Sequence, residues 1–130
     1  MSKLNIAIVK KNNVDRVVSI EDDIAYDLNA AYLSMSKDKK MDISNSNQLV
    51  PDNFEDFIKQ GDIAINNSST AVDWAINNNI NDENVKWKLE ANSIGSPIIN
   101  SSKIIMIGDT YKSHAEIGGH VPPTRPGIFF

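Results

Sequence analysis

Leu4, Ile6 and Ile8 recur at every second position, Lys10-Lys11-Asn12-Asn13 interrupts them, and Val14 to Ile20 resumes a β-branched stretch. Period two broken by an Asn pair is a hairpin pattern, and it predicts strands over about 4–10 and 14–20. The period then changes. Ile24, Leu28, Ala31, Tyr32 and Met35 fall at i, i+4, i+7, i+8 and i+11, which predicts a helix over 21–36. Glu21-Asp22-Asp23 at its start and Lys37, Lys39 and Lys40 at its end suit the helix dipole, with Ser19 as the cap candidate. The acidic triplet therefore reads as a helix start, since no loop motif supplies the oxygen cage of a calcium or magnesium site.

From Met41 to Val50 the chain is polar and without period, and reads as an exposed connection. Pro51 suits the first position of a short helix with Phe54, Phe57 and Ile58 on its apolar face and Gly61 at its end. Ile63 and Ile65 alternate as a short strand. Ser68, Ser69 or Thr70 then caps a helix whose buried stripe is Ala71, Val72, Ala75 and Ile76, with Trp74 at its edge and Asn77-Asn78-Asn79 as its stop. Val85, Trp87 and Leu89 alternate with Lys86, Lys88 and Glu90, the pattern of a half-exposed antiparallel strand anchored by an aromatic ring. The elements add up to an α+β fold: an N-terminal β-hairpin, three short-to-medium helices and a β-rich, Gly/Pro-rich C-terminal region. One domain is expected over 1–130, with an α+β portion at 1–92 and a β-rich segment and tail at 93–130.

Composition narrows the function classes. The chain has 130 residues, 13 basic and 17 acidic, for a formal net charge of -4, and neither half has the basic excess that tracks a phosphate backbone. Nucleic acid is disfavoured as a partner. No apolar run approaches the roughly 20 residues of a membrane-spanning helix, and Met1-Ser2-Lys3 leads into a strand and not into a signal peptide's apolar region. The expected location is the cytoplasm, or a virion or injection apparatus into which the chain is incorporated. The absence of cysteine removes disulfides, thiolate nucleophiles and Cys-ligated zinc. The Asn clusters read as turns, because Asn tolerates positive φ, and the two tryptophans read as core.

In the last third, Gly95-Ser96-Pro97, the apolar pair Ile98-Ile99, Asn100, a two-residue turn at Ser101-Ser102, Lys103 to Ile107, Gly108-Asp109 and His114 follow one another closely. Brief strands are expected at 97–100 and 103–107. This pattern, over about residues 93–120, resembles one repeat of the PAAR family, whose members cap the trimeric spikes of contractile injection systems and phage tails. The resemblance implies a cone with a metal, zinc or iron, near its apex. It offers His114 and His120 as ligands, and a four-ligand site would need Asp109 or Glu116 as well.

Val121-Pro122-Pro123-Thr124-Arg125-Pro126-Gly127 is expected to run as an extended polyproline-like strap. Ile128-Phe129-Phe130 then either folds back onto the core or docks in another subunit, and docking is the preferred expectation. Pro122, Pro123, Arg125, Pro126, Ile128, Phe129 and Phe130 are thus the candidate partner-binding residues. Catalytic residues are not assigned: no Gly-x-Ser-x-Gly elbow accompanies Ser113 and His114, and Gly118-Gly119 lacks the lysine of a phosphate loop. The leading expectation is a non-enzymatic structural or adaptor protein of a phage-tail-like or secretion particle, capping a spike. The alternatives are a small protein-binding module of immunity or regulatory type, and a small metal-dependent hydrolase using His114, Glu116 and His120.

Overall fold

The computed structural model describes residues 3–97, 101, 103–108, 111–121, 124, 125 and 127–129. The fold class is α+β, and the chain divides into two compact units, residues 1–98 and 99–130.

The first unit opens with the expected hairpin, β1 (Ile6–Lys11) against β2 (Val14–Glu21), antiparallel with Ile8 opposite Val17. Asn12 and Asn13 take φ 49° and 63°, the mirror-image turn whose twist matches a two-residue hairpin. The same device recurs at Asp22 and Asp23, at φ 46° and 64°, and joins β2 to β3 (Ile24–Asp27). The acidic triplet is therefore no helix start. The helix α1 runs Leu28–Asp38, and its cap is Asp27, whose carboxylate accepts from the Ala30 N–H at 2.9 Å. Ile24 and Leu28 share a helical spacing in sequence only because a strand and a helix meet between them, and both side chains pack in one core.

Further corrections lie between residues 41 and 77. The connection contains a one-turn helix, α2 (Ser46–Leu49), and α3 (Phe54–Gln60) begins after Asn53 instead of at Pro51. Asn53 caps the helix by accepting from the Asp56 N–H at 2.9 Å through Oδ1, and its Nδ2 donates to the Asp56 carboxylate at 3.0 Å, which fixes that start. Ile63 and Ile65 belong to α4 (Asp62–Asn77), in which Ser68 and Ser69 are buried interior residues and not caps. Gly61 makes this possible: at φ 55°, ψ −128°, a conformation L side chains rarely adopt, it turns the chain from α3 directly into α4. The buried stripe of α4 is Ala64, Ser68, Ala71, Val72 and Ala75, at helical spacing, while Ile63, Ile65 and Ile76 are exposed.

Strand β4 (Lys86–Lys88) completes a four-stranded sheet in the order β1-β2-β3-β4. One face carries Ile8, Val17 and Tyr26 against Leu28, Tyr32 and Met35 of α1 and Val72 and Ala75 of α4. The other carries Val9, Val18 and Ala25, none of them exposed, surrounded by Ala7, Ile20, Trp87 and Leu89. After β4 the chain crosses to the far edge: Leu89 donates to the Asp23 carbonyl, and four residues later Ser93 accepts from the Lys10 N–H of β1. Four residues span at most about 14 Å, which is about the width of three interstrand steps in a flat sheet. A turn at Ala91-Asn92 shortens that reach further. The sheet must therefore curl, bringing β4 round toward β1 and enclosing the second apolar cluster.

The second unit holds β5 (Met106–Gly108), α5 (Lys112–Ile117) and β6 (Gly127–Phe129). β5 and β6 form an antiparallel two-stranded sheet, with Ile107 opposite Ile128 and Met106 opposite Phe129. The strand expected at 103–107 is thus shorter and shifted, and Ile98, Ile99 and Asn100 lie outside the described residues. α5, in a region expected to be β-rich, carries a Lys112–Glu116 pair at i, i+4 and one buried residue, Ala115. No helix among the described residues is long and apolar enough to cross a membrane.

Candidate functional site

In the second unit His114 sits in α5, with its backbone N–H donating to the Tyr111 carbonyl at 3.0 Å. Tyr111, Ser113, His114 and Ile117 line a depression of about 350 Å³. His120 follows the helix, its N–H donating to Ala115 at 2.8 Å, and Gly119 before it has φ 71°. Glu116 faces Lys112 at 3.8 Å. Asp109 lies outside the described residues, and among those described no three His, Cys, Asp or Glu side chains converge as a metal site. Ser113, His114 and Glu116 share the helix α5.

Of the tail residues, Pro122, Pro123, Pro126 and Phe130 lie outside the described residues, and Arg125 is exposed. The backbone of residues 127–129 pairs with β5 as β6, and Ile128 is 54% exposed. Its cross-strand neighbour Ile107 is 55% exposed and Met106, one residue earlier and on the opposite face, 59%. Ile104, Ile105, Tyr111, Ile117 and Val121 are exposed as well. Both faces of β5 thus carry solvent-facing apolar side chains. The sequence signal for this was the apolar run Ile104 to Ile107 itself, which lacks the polar alternation of a strand with one wet face.

The first unit contributes a different arrangement. Arg16 Nε donates to Asp27 Oδ2 at 2.6 Å, with the Asp27 side chain almost fully buried. The hydrogen bond to Asp27 holds the Arg16 guanidinium above its ordinary pKa, against the opposing pull of burial. One carboxylate therefore caps α1 and binds β2. Nearby, Lys11 Nζ donates to the Glu83 carbonyl and lies 4.1 Å from the centroid of the Trp87 ring. Lys86 and Lys88 pair with Tyr26 and Ile24 and fall on the opposite face from Trp87. Sequence spacing missed Lys11 because it reaches the ring only through the curl of the sheet. Lys10, Lys11, Trp87, Lys88, Glu90 and Ser93 line a cleft of about 200 Å³ at that seam.

The Arg16–Asp27 and Lys11–Trp87 contacts join strand to strand and strand to helix within the first unit. In the second unit Met106 and Ile107 of β5 and Ile128 of β6 are each more than half exposed. No protein-family model matches the chain, and no curated protein matches it in sequence.

Proposed function

We propose that the protein is a non-enzymatic structural or adaptor protein whose second unit docks on a protein partner through β5 and β6. The observation that carries this reading is the exposure of Ile104 and Ile105, just ahead of β5, and of Met106, Ile107 and Ile128 on the two-stranded sheet, each more than half exposed. Two strands alone are marginal in water and gain stability when another element covers their apolar surface. The setting we propose is a phage-tail-like or secretion particle, with the chain at or near a spike, and it rests on the resemblance of residues 93–120 to a PAAR repeat.

A second reading, a protein-binding module of regulatory or immunity type, has its own support in the first unit. Ile58 and Ile63, 53% and 51% exposed, flank Gly61 at the α3–α4 corner and offer a compact apolar point of contact. The two readings separate on one experiment. The tagged full chain, produced in its own cells, should sediment with a high-mass particle fraction, and deletion of residues 121–130, which removes β6, should move it to the top of the gradient while the first unit keeps its melting transition. A full chain that never enters the particle fraction, or a deletion variant that stays in it, would overturn the adaptor reading.

A further inference from the structure

We infer that the outer edge of β4, in the first unit, is a docking site for an extended acidic peptide, which adds to the sheet as a further strand. The site is separate from β5 and β6 and does not depend on the adaptor reading. β4 ends the order β1-β2-β3-β4 and pairs with β3 alone. The Asp27 N–H donates to the Val85 carbonyl at 2.9 Å and the Leu89 N–H to the Asp23 carbonyl at 2.8 Å. Val85, Trp87 and Leu89 therefore turn their backbone groups toward β3, and Lys86 and Lys88 turn theirs outward. The Lys86 N–H is used locally, on the Asp82 carbonyl at 2.9 Å. The Lys86 carbonyl and both backbone groups of Lys88 have no hydrogen-bond partner among the described residues.

The opposite edge of the sheet is already covered by the chain itself. On β1 the Lys10 N–H donates to the Ser93 carbonyl, and the Ile8 carbonyl accepts from the Gly95 N–H, both at 2.8 Å. Between the two edges the seam is crossed by a side chain, Lys11 over the Trp87 ring, and no backbone ladder joins β1 to β4. The strands there stand farther apart than the about 4.8 Å of paired neighbours. An added strand on β4 enters a seam that the curl of the sheet leaves unclosed.

Charge selects the occupant. Lys86 and Lys88, opposite Tyr26 and Ile24, lie on the sheet face that carries Ile8, and Lys10, two residues after Ile8, lies on it too. Neither Lys86 nor Lys88 makes an ion pair among the described residues, and Lys10 meets Asp15 only at 4.0 Å with its side chain 57% exposed. The cleft at the seam sets Lys10, Lys11 and Lys88 against one acidic residue, Glu90, in a chain of net charge -4. Lysines on an open edge discourage neutral and basic strands, and they admit a strand that brings carboxylates, since opposite charges attract across a strand pair. A small anion could use the Lys88 N–H but not the two carbonyls beside it, which need donors, whereas a peptide backbone supplies both donor and acceptor. Strand alternation then fixes the pattern: acidic residues two apart face Lys86 and Lys88, and the residue between them falls on the Trp87 face. An apolar side chain suits that place, because Trp87 packs there on Val9, Val18 and Ala25.

An NMR titration of the isotope-labelled full chain with the peptide acetyl-Thr-Glu-Val-Glu-Thr-amide tests this. The Lys88 amide resonance should shift and gain protection from hydrogen exchange, with a dissociation constant that rises with salt. Lys88→Glu, which turns one cross-strand pair repulsive, should weaken binding about tenfold. That variant should in turn prefer the peptide carrying Lys in place of both Glu. Lys88 is exposed, so the melting transition of the variant should match the parent. A second arm leaves the protein unchanged: methylating alternate backbone nitrogens of the peptide should abolish binding for the set that faces β4 and preserve it for the other set. A Lys88 amide that does not respond to the peptide, equal binding by both methylated peptides, or binding indifferent to Lys88→Glu would overturn the inference. So would inorganic phosphate or a single-stranded oligonucleotide that shifts the Lys88 amide where the peptide does not, since the lysines would then serve phosphate and not a strand.

Discussion

The two units differ less in how much apolar sequence they hold than in where they put it. In the first, Leu28, Val9, Val18, Val50, Val72 and Val85 are fully buried, and one sheet is apolar on both faces because helices cover one and the curl of the sheet itself encloses the other. In the second, among the described residues, Ala115 is the buried apolar side chain, while Ile104 to Ile107, Ile117, Val121 and Ile128 are exposed. Hydrophobic burial is roughly proportional to area removed from water, so the first unit is stabilised by its own core, and the second, among the described residues, gains little from apolar burial. The contrast teaches that apolar burial and apolar exposure are segregated along this chain. It also makes the units separable by mutation.

The strongest break in that contrast is Leu28→Ala. Leu28 is fully buried where α1 meets the sheet, and its truncation should cost about 3 kcal/mol. The same treatment of Ile105 or Ile107 in the second unit should leave the main melting transition within about 0.5 kcal/mol of the parent. Chemical denaturation of the three variants measures both values, and equal losses would refute the segregation. Hydrogen exchange sharpens the point: amides of β1 and β2 should be protected to near the global stability, and those of β5 and β6 should exchange much sooner.

Next in size is Asp27→Ala. The substitution removes the α1 cap and strands the partly buried Arg16 beside an apolar side chain, for an expected loss of about 2 kcal/mol. Asp27→Asn keeps a capping oxygen and should recover about half of that loss. An equal loss in both variants would mean that the ion pair alone matters and the cap contributes nothing.

Asp27 also marks where the sequence was legible and where it was not. The β1–β2 hairpin and β4 are readable because period two and an Asn-Asn turn are local signals, and the α+β class follows from them with the apolar stripe of α1. The start of α1 is not readable from periodicity, because Ile24 on a strand and Leu28 on a helix face one core and mimic a single helical stripe. A cap reading of Asp27 with Ala30 three residues on would have corrected it. Ile63 and Ile65 imitate a strand because two exposed isoleucines of a helix can fall two apart by chance, and only Gly61 betrays the corner before them. At the candidate site, the exposed run Ile104 to Ile107 was visible as composition. Its pairing with residues 127–129 was not, since the contact joins segments about twenty residues apart with no local signature.

Gly61→Ala tests that corner. A Cβ there meets only the Ile58 carbonyl at 4.0 Å, so space is available and the cost is conformational, at φ 55°. Strain of this kind is worth about 1–2 kcal/mol, less than the loss at Leu28 and confined to the α3–α4 junction. A variant as stable as the parent would mean that α3 and α4 can join through another backbone conformation.

The smallest effect concerns the Asn53 cap of α3. Asp56 accepts from Lys59 at 2.9 Å and from Asn53 at 3.0 Å, and these hydrogen bonds hold its carboxyl below the ordinary aspartate value of 3.8. A carboxyl whose folded pKa is depressed adds stability at pH above its unfolded value and loses it as pH falls through the folded one. The contribution should therefore be intact at neutral pH and fade only in acid below the ordinary aspartate range, appearing as fraying of the first turn of α3 while the sheet is unaffected. Because the group is fully exposed the effect is local, and an NMR titration of the Asp56 carboxyl with the Phe57 amide is the right probe. Asn53→Ala should move the Asp56 midpoint upward toward 3.8. A midpoint already at the ordinary value in the parent would show that Asn53 sets the helix start only by accepting from the Asp56 N–H, and that the Asp56 carboxylate contributes nothing to the first unit's internal stabilisation.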